Sequence, residues 1–410
     1  MRLQPLTLSL LLILAAASPG FSQTGGQTGG QTDISAEIAT TGLGPTGARL
    51  AALPSPTEAE RFALGGVRFL LTLEDTLQLR WSAGIPPSMT GLPALSLPLA
   101  ENPNAPPFDP ASIAALFRDV AARMPGVVEP LATLPEGSDF TLTIDLGDLW
   151  FDIDGDGQRS PGEGLVEVAG PMLFGWQWQE RDPSTPTPVI AFDLADAAWL
   201  SAYAHLLSGV SNAVLAYDPT QAITTVLGAR AALAELAGPS PAPGSLEGMS
   251  DWIDTASIVI RALDQVPDAA RAAAARTSLL AMVADNRLFW QRLALETDND
   301  REWIPNDTQT SALGLTLPPG TGAVWLSVLS DAEALLKGER LVPYVWLGEG
   351  AGIDLGLMFT DPRPIDIAGW IQGADALPYA RRGPLVSGES WFRFSELVQG
   401  DTLLFALLLN

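Results

Sequence analysis

The stretch PDAARAAAARTSLLAMVADNRLFWQRLALET, residues 267–297, reads as one long helix and sets the class of the chain. Alanine has the highest helix propensity, and Pro267 stands at the opening, where a missing N–H costs nothing. Working outward, the same signals recur. Thr57-Glu58-Ala59-Glu60 is a capping box ahead of Phe62, Phe69, Leu73 and Leu77 at helical spacing. Asp109-Pro110 opens a helix expected to run to about residue 123, and Asp193 caps one to about residue 217. Asp218-Pro219 begins another that ends near Gly238, and further helices are expected over 251–265 and 324–337. The fold class is therefore mainly α: a helical globular protein with a small β element. No repeat with a period of roughly 20–50 residues points to a solenoid.

The β element surrounds DIDGDGQRSPGE, residues 152–163. Phe140-Thr141-Leu142-Thr143-Ile144-Asp145-Leu146 alternates apolar and polar before it, and Leu165-Val166-Glu167-Val168 is read as a second extended segment after it. The twelve residues fit D-x-[DN]-x-[DN]-G-x5-E at every defined position. Ca²⁺ takes about 6–8 oxygen ligands, and this spacing lets one short loop wrap around it. Asp152, Asp154 and Asp156 would supply side-chain oxygens, Gln158 its carbonyl, Ser160 a bridging water and Glu163 a closing carboxylate. Gly157 stands where the loop turns too sharply for a side chain. The segment resembles the calcium loops of EF-hand and dockerin-type modules over these twelve residues alone. It departs from them at Arg159, where an aliphatic residue is usual, and at Pro161 and Gly162, which oppose an exiting helix. A free-standing loop between extended segments is expected, with Trp150 and Phe151 as its apolar anchors.

Arg2, the apolar run from Leu6 to Ala17 and the small-x-small site Gly20-Phe21-Ser22 read as a cleaved secretory leader over 1–22, with cleavage after Ala17 as the alternative. A flexible Gln/Thr/Gly tether follows over 23–33. The remainder divides into a helical region (34–238), a Pro-rich linker or loop (239–244) and a mainly helical C-terminal region (245–410). A periplasmic or secreted protein is expected, with no transmembrane segment once the leader is removed. The net charge of −25 argues against nucleic acid and anionic lipid and favours cations. The chain has no cysteine, so disulfides, thiolate ligands and Cys nucleophiles are all excluded.

Other chemistry is thinner. Residues 296–307 form a second oxygen-rich run in which Asp298, Asp300 and Glu302 alternate. It lacks the turn glycine and a closing carboxylate at the right distance, so it reads as a polar helix end entering a turn, with a second metal site as the alternative. His205, the only histidine, reads as a boundary side chain. Asp145, Asp148 and Asp152 lie close enough in sequence to raise glycoside hydrolysis, and the twelve tryptophans, Trp176 and Trp178 among them, raise sugar stacking. Arg363, in a stiff Asp-Pro-Arg-Pro segment, is either presented to a partner or held at a corner. The expectation is an exported, non-enzymatic protein with a structural calcium loop; an envelope hydrolase with acidic groups and a solute- or glycan-binding protein are the alternatives.

Overall fold

Among the described residues, two short antiparallel ribbons interrupt a mainly helical chain. The computed structural model describes residues 33–85, 97–174, 182, 185–237, 250–315, 317–398 and 402–409. The leader, all but the last residue of the tether, the 239–244 break, Trp176 and Trp178 lie outside them. The helices are α1 (Ile34–Thr41), α2 (Leu43–Ala51), α3 (Glu58–Ser82), α4 (Ala111–Leu131), α5 (Leu165–Phe174), α6 (Leu194–Ala216), α7 (Thr220–Ala237) and α8 (Ser250–Leu263). They continue with α9 (Ala269–Leu293), α10 (Thr321–Lys337), α11 (Leu355–Thr360), α12 (Ile367–Gln372), α13 (Glu389–Leu397) and α14 (Thr402–Leu408). β1 (Leu142–Asp145) pairs antiparallel with β2 (Val189–Phe192), and β3 (Ala351–Ile353) with β4 (Ala380–Arg382). No described helix is long and apolar enough to cross a membrane.

Caps set most helix starts as the sequence predicts. The Thr57 hydroxyl accepts from Glu60 N while the Glu60 carboxylate accepts from Thr57 N, and Asp193 and Asp196 make the same reciprocal box ahead of α6. α9 opens on Asp268 and stops at Leu293, short of the expected residue 297, because Asn306 Nδ2 donates to the Leu293 and Glu296 carbonyls and turns the chain inward. α4 runs eight residues past its expected end at 123, through Pro125 and Pro130. Its buried stripe of Phe117, Val120, Met124, Val127 and Leu131 continues across Pro125, and that packing outweighs one missing hydrogen bond.

One core cluster gathers Ile38, Leu77, Phe117, Phe151 and Ile190; a second gathers Phe289, Trp325, Leu329, Phe394 and Leu409. Trp199 and Trp303 pack against both. α6 and α9 form the most extensive helix–helix interface in the protein. Residues 408 and 409 dock there: Trp199 Nε1 donates to the Leu408 carbonyl and Asn286 Nδ2 to that of Leu409. The β1–β2 ribbon holds an acidic site at each end. The candidate metal loop leaves its Asp145 end, and a pocket of carboxylates closes around its Leu142–Phe192 end.

Candidate metal centre

The loop is tied at its neck. Phe151 N donates to the Glu163 carbonyl and Leu165 N to that of Leu149, both at 2.8 Å, and Trp150 bridges Gly164. Trp150 is buried, donates from Nε1 to the Ile38 carbonyl at 2.8 Å and lies so close to Gly42 that a Cβ there would come within 2.9 Å of its ring. Asp145 and Asp148 serve this framework. Asp145 Oδ1 accepts from Gly147 N and from the Thr187 hydroxyl, and Asp148 Oδ2 accepts from Ser35 Oγ at 2.5 Å. They stabilise the turn after β1.

Inside the loop, each aspartate spends one oxygen on a local turn. Asp152 Oδ2 accepts from Gly157 N at 3.0 Å, Asp154 Oδ1 from Asp156 N at 3.2 Å and Asp156 Oδ1 from Gln158 N at 2.7 Å. The chain needs Gly155 (φ 77°) and Gly157 (φ 75°) in left-handed conformation to make these turns. The result brings carboxylate oxygens of Asp152, Asp154 and Asp156 within 4.8 Å of one another. Among the described residues, no other set of three Asp, Glu or His groups lies close enough to hold a metal ion. Asp152 Oδ1 is shut off from solvent and has no hydrogen-bond partner. A buried carboxylate oxygen without a donor is costly, and a cation is what would satisfy it.

Glu163, the expected closing ligand, is not among the three grouped carboxylates; it is buried, with Oε1 accepting from Ile153 N (2.9 Å) and Oε2 from Ser160 N (2.6 Å). Each carboxylate oxygen has two lone pairs, so both retain acceptor capacity. Gln158 and Ser160 enter the hydrogen bonding through their amides, and neither side chain bonds an aspartate of the trio. Arg159 is turned away, its Nη1 on the Gly147 carbonyl at 3.0 Å, and does not neutralise the loop. From the core, Glu74 of α3 accepts from Asp152 N at 2.8 Å and Gln78 donates to the Asp152 carbonyl at 2.6 Å. Burial pushes the Glu74 carboxyl up to about 7, and the Asp152 charge adds to the rise.

The expected extended segment after the loop is corrected: residues 165–174 form α5. Leu165, Val166, Val168 and Ala169 are all buried, a helical spacing that a strand would split between two faces. Glu167 Oε2 accepts from the amides of Gly162 and Gly164, which starts the helix just past the two residues that oppose it. The centre is thus strand, loop and helix.

The run over 296–307 meets partners that no local pattern announces. Asp193, Glu296, Asp298, Asp300 and Glu302 line a polar cavity of about 300 Å³ beside Ser138. Burial, with Asp193 beside it, pushes Glu296 up to about 8; burial also raises Asp193, Glu302 and, furthest, Asp196. His205 lies 3.6 Å from Asp285 Oδ2, and burial lowers its pKa against the pull of that carboxylate. Ser201 Oγ donates to the same Asp285 oxygen at 2.5 Å, so serine and histidine meet on the acid and no serine–histidine relay forms. Arg363 is held at a corner, with Asp361 on its guanidinium and the Tyr217 hydroxyl on its carbonyl. No family model, curated protein or solved structure matches the chain, and the functional reading of the loop therefore stands on its own geometry.

Proposed function

We propose that this is an exported, non-enzymatic protein in which the 152–163 loop binds Ca²⁺ as a structural brace. The observation that carries the reading is the Asp152–Asp154–Asp156 trio, with oxygens within 4.8 Å and the buried Asp152 Oδ1 lacking any donor. Hard oxygen donors in this number suit Ca²⁺, which tolerates irregular geometry, better than Mg²⁺, which demands a near-ideal octahedron. In a chain without cysteine, a cation tying a strand to a helix does the work that a disulfide would do elsewhere. Extracellular calcium modules work at dissociation constants of about 10⁻⁴–10⁻³ M, which suits an exported protein. Terbium luminescence excited through tryptophan tests the site, since Trp150 lies two residues before it. A signal competed by Ca²⁺ and lost in Asp152→Ala/Asp154→Ala is expected; a wild type silent to terbium and to calcium calorimetry would refute the reading.

The Asp193 and Glu296 carboxyls lining one polar cavity, with Glu296 raised by burial, favour a second reading, a hydrolase using one carboxyl as acid and the other as base. That reading requires turnover of some ester, amide or glycoside that Glu296→Gln abolishes, with calcium binding unchanged.

A further inference from the structure

Asp152, the first residue of the loop, is gripped by the core at both of its backbone polar groups. Glu74 and Gln78 lie four residues apart, on one face of α3. One accepts from the Asp152 amide, the other donates to its carbonyl, and the Asp152 side chain is closed onto Gly157 N. Three restraints on one residue fix where its remaining oxygen points, and that oxygen is the buried Oδ1 without a donor.

Glu74 is itself unusual. It is buried, and among the described residues no basic group forms a salt bridge with it. α3 is a rigid receiver: Phe62, Val67 and Leu77 are buried, and the helix packs along α4 and α2.

We propose that Glu74 and Gln78 are positioning residues for the cation, holding Asp152 in ligating orientation and passing the metal's ordering of the loop into α3. This rests on the reading of the loop as a calcium site. Partners that orient metal ligands cost about 10–100-fold in affinity when removed. Calcium calorimetry on the full chain is the test, with wild type, Gln78→Leu, Glu74→Leu and Glu74→Gln, alongside hydrogen exchange of the α3 amides. Gln78→Leu and Glu74→Leu are expected to weaken Ca²⁺ about 10–100-fold. Glu74→Gln keeps an oxygen for the Asp152 amide and stays closer to wild type than Glu74→Leu. Calcium is expected to slow exchange in the C-terminal half of α3 in wild type but not in Gln78→Leu, a change that mere structural support would not produce. Should Glu74→Leu fail to fold, Gln78→Leu, a half-buried site, decides alone. Folded variants that bind within twofold of wild type, with α3 protection still calcium-dependent, would overturn the clamp. A wild type that binds no Ca²⁺ would overturn the metal reading and the clamp with it.

Discussion

Asp154 and Glu163 are held so differently that one loop yields two opposite expectations. Asp154 is exposed, and its Oδ1 serves a turn that asparagine can also make. Asp154→Asn removes one like charge from the trio, so it is expected to raise the melting temperature slightly in chelator while weakening Ca²⁺ about tenfold. Glu163 is buried on two amides, and Glu163→Ala leaves both without an acceptor. A loss of about 1–3 kcal/mol in chelator is expected, read by denaturant unfolding, together with loss of calcium binding. Equal behaviour of the two variants would count against this division of labour. At this scale the sequence was most legible where spacing alone carries meaning: Asp152, Asp154, Asp156 and Gly157 stand where the motif puts them. It was blind to Glu74 and Gln78, which reach the loop from 78 and 74 residues away and belong to no local pattern. Asp193 was legible as a helix cap and not as the partner of Glu296, for the same reason.

Elements followed their caps where caps exist and departed from pattern where packing decides. α5 was missed because a four-residue window of Leu165 to Val168 hides the helical spacing that Ala169 completes. α4 passes Pro130 because Arg68 Nη1 donates to the Gly126 carbonyl that Pro130, lacking an N–H, leaves free, and it passes Pro125 because the buried stripe continues to Leu131. The junction between the α9 end and the α6 start carries an expectation in pH. Glu296 is raised from 4.5 to about 8, so the folded state keeps a proton that the unfolded chain releases. Its contribution is fully present below about pH 4.5 and is lost as pH rises through about 8. The charges around it are Asp193, Asp196, Asp298, Asp300 and Glu302, with Arg292 reaching the Leu194 carbonyl and Glu136, and Arg301 on Asp300. In chelator, melting temperature is expected to fall from pH 5 to pH 8, and Glu296→Gln is expected to flatten part of that fall. An unchanged slope in the variant would rule out the carboxyl pair as its source.

The whole molecule carries a net charge of −25, so self-repulsion opposes the compact state and cations of any kind relieve some of it. A site-specific brace is distinguished from such screening by its dependence on ion identity and on Asp152. The mainly helical class was legible because caps and alanine-rich runs are local. The α6–α9 interface, where Asn212 meets Arg271 59 positions on and Ser201 meets Asp285 84 positions on, and the two clusters meeting at Trp199 and Trp303 join residues far apart in sequence, and local periodicity does not encode partners. Phe151 couples the scales: it follows Trp150 at the loop neck and is fully buried in the first core cluster. Ordering the loop therefore orders the core that covers it. The most direct test is the melting temperature of the protein in millimolar Ca²⁺, in equal Mg²⁺ and in chelator at constant ionic strength, with Asp152→Ala beside it. At a hundred times the dissociation constant, binding to the folded state alone adds about 2.7 kcal/mol, a rise of a few degrees. A rise specific to Ca²⁺ and absent in Asp152→Ala is expected; identical melting in Ca²⁺ and chelator would contradict a structural calcium site.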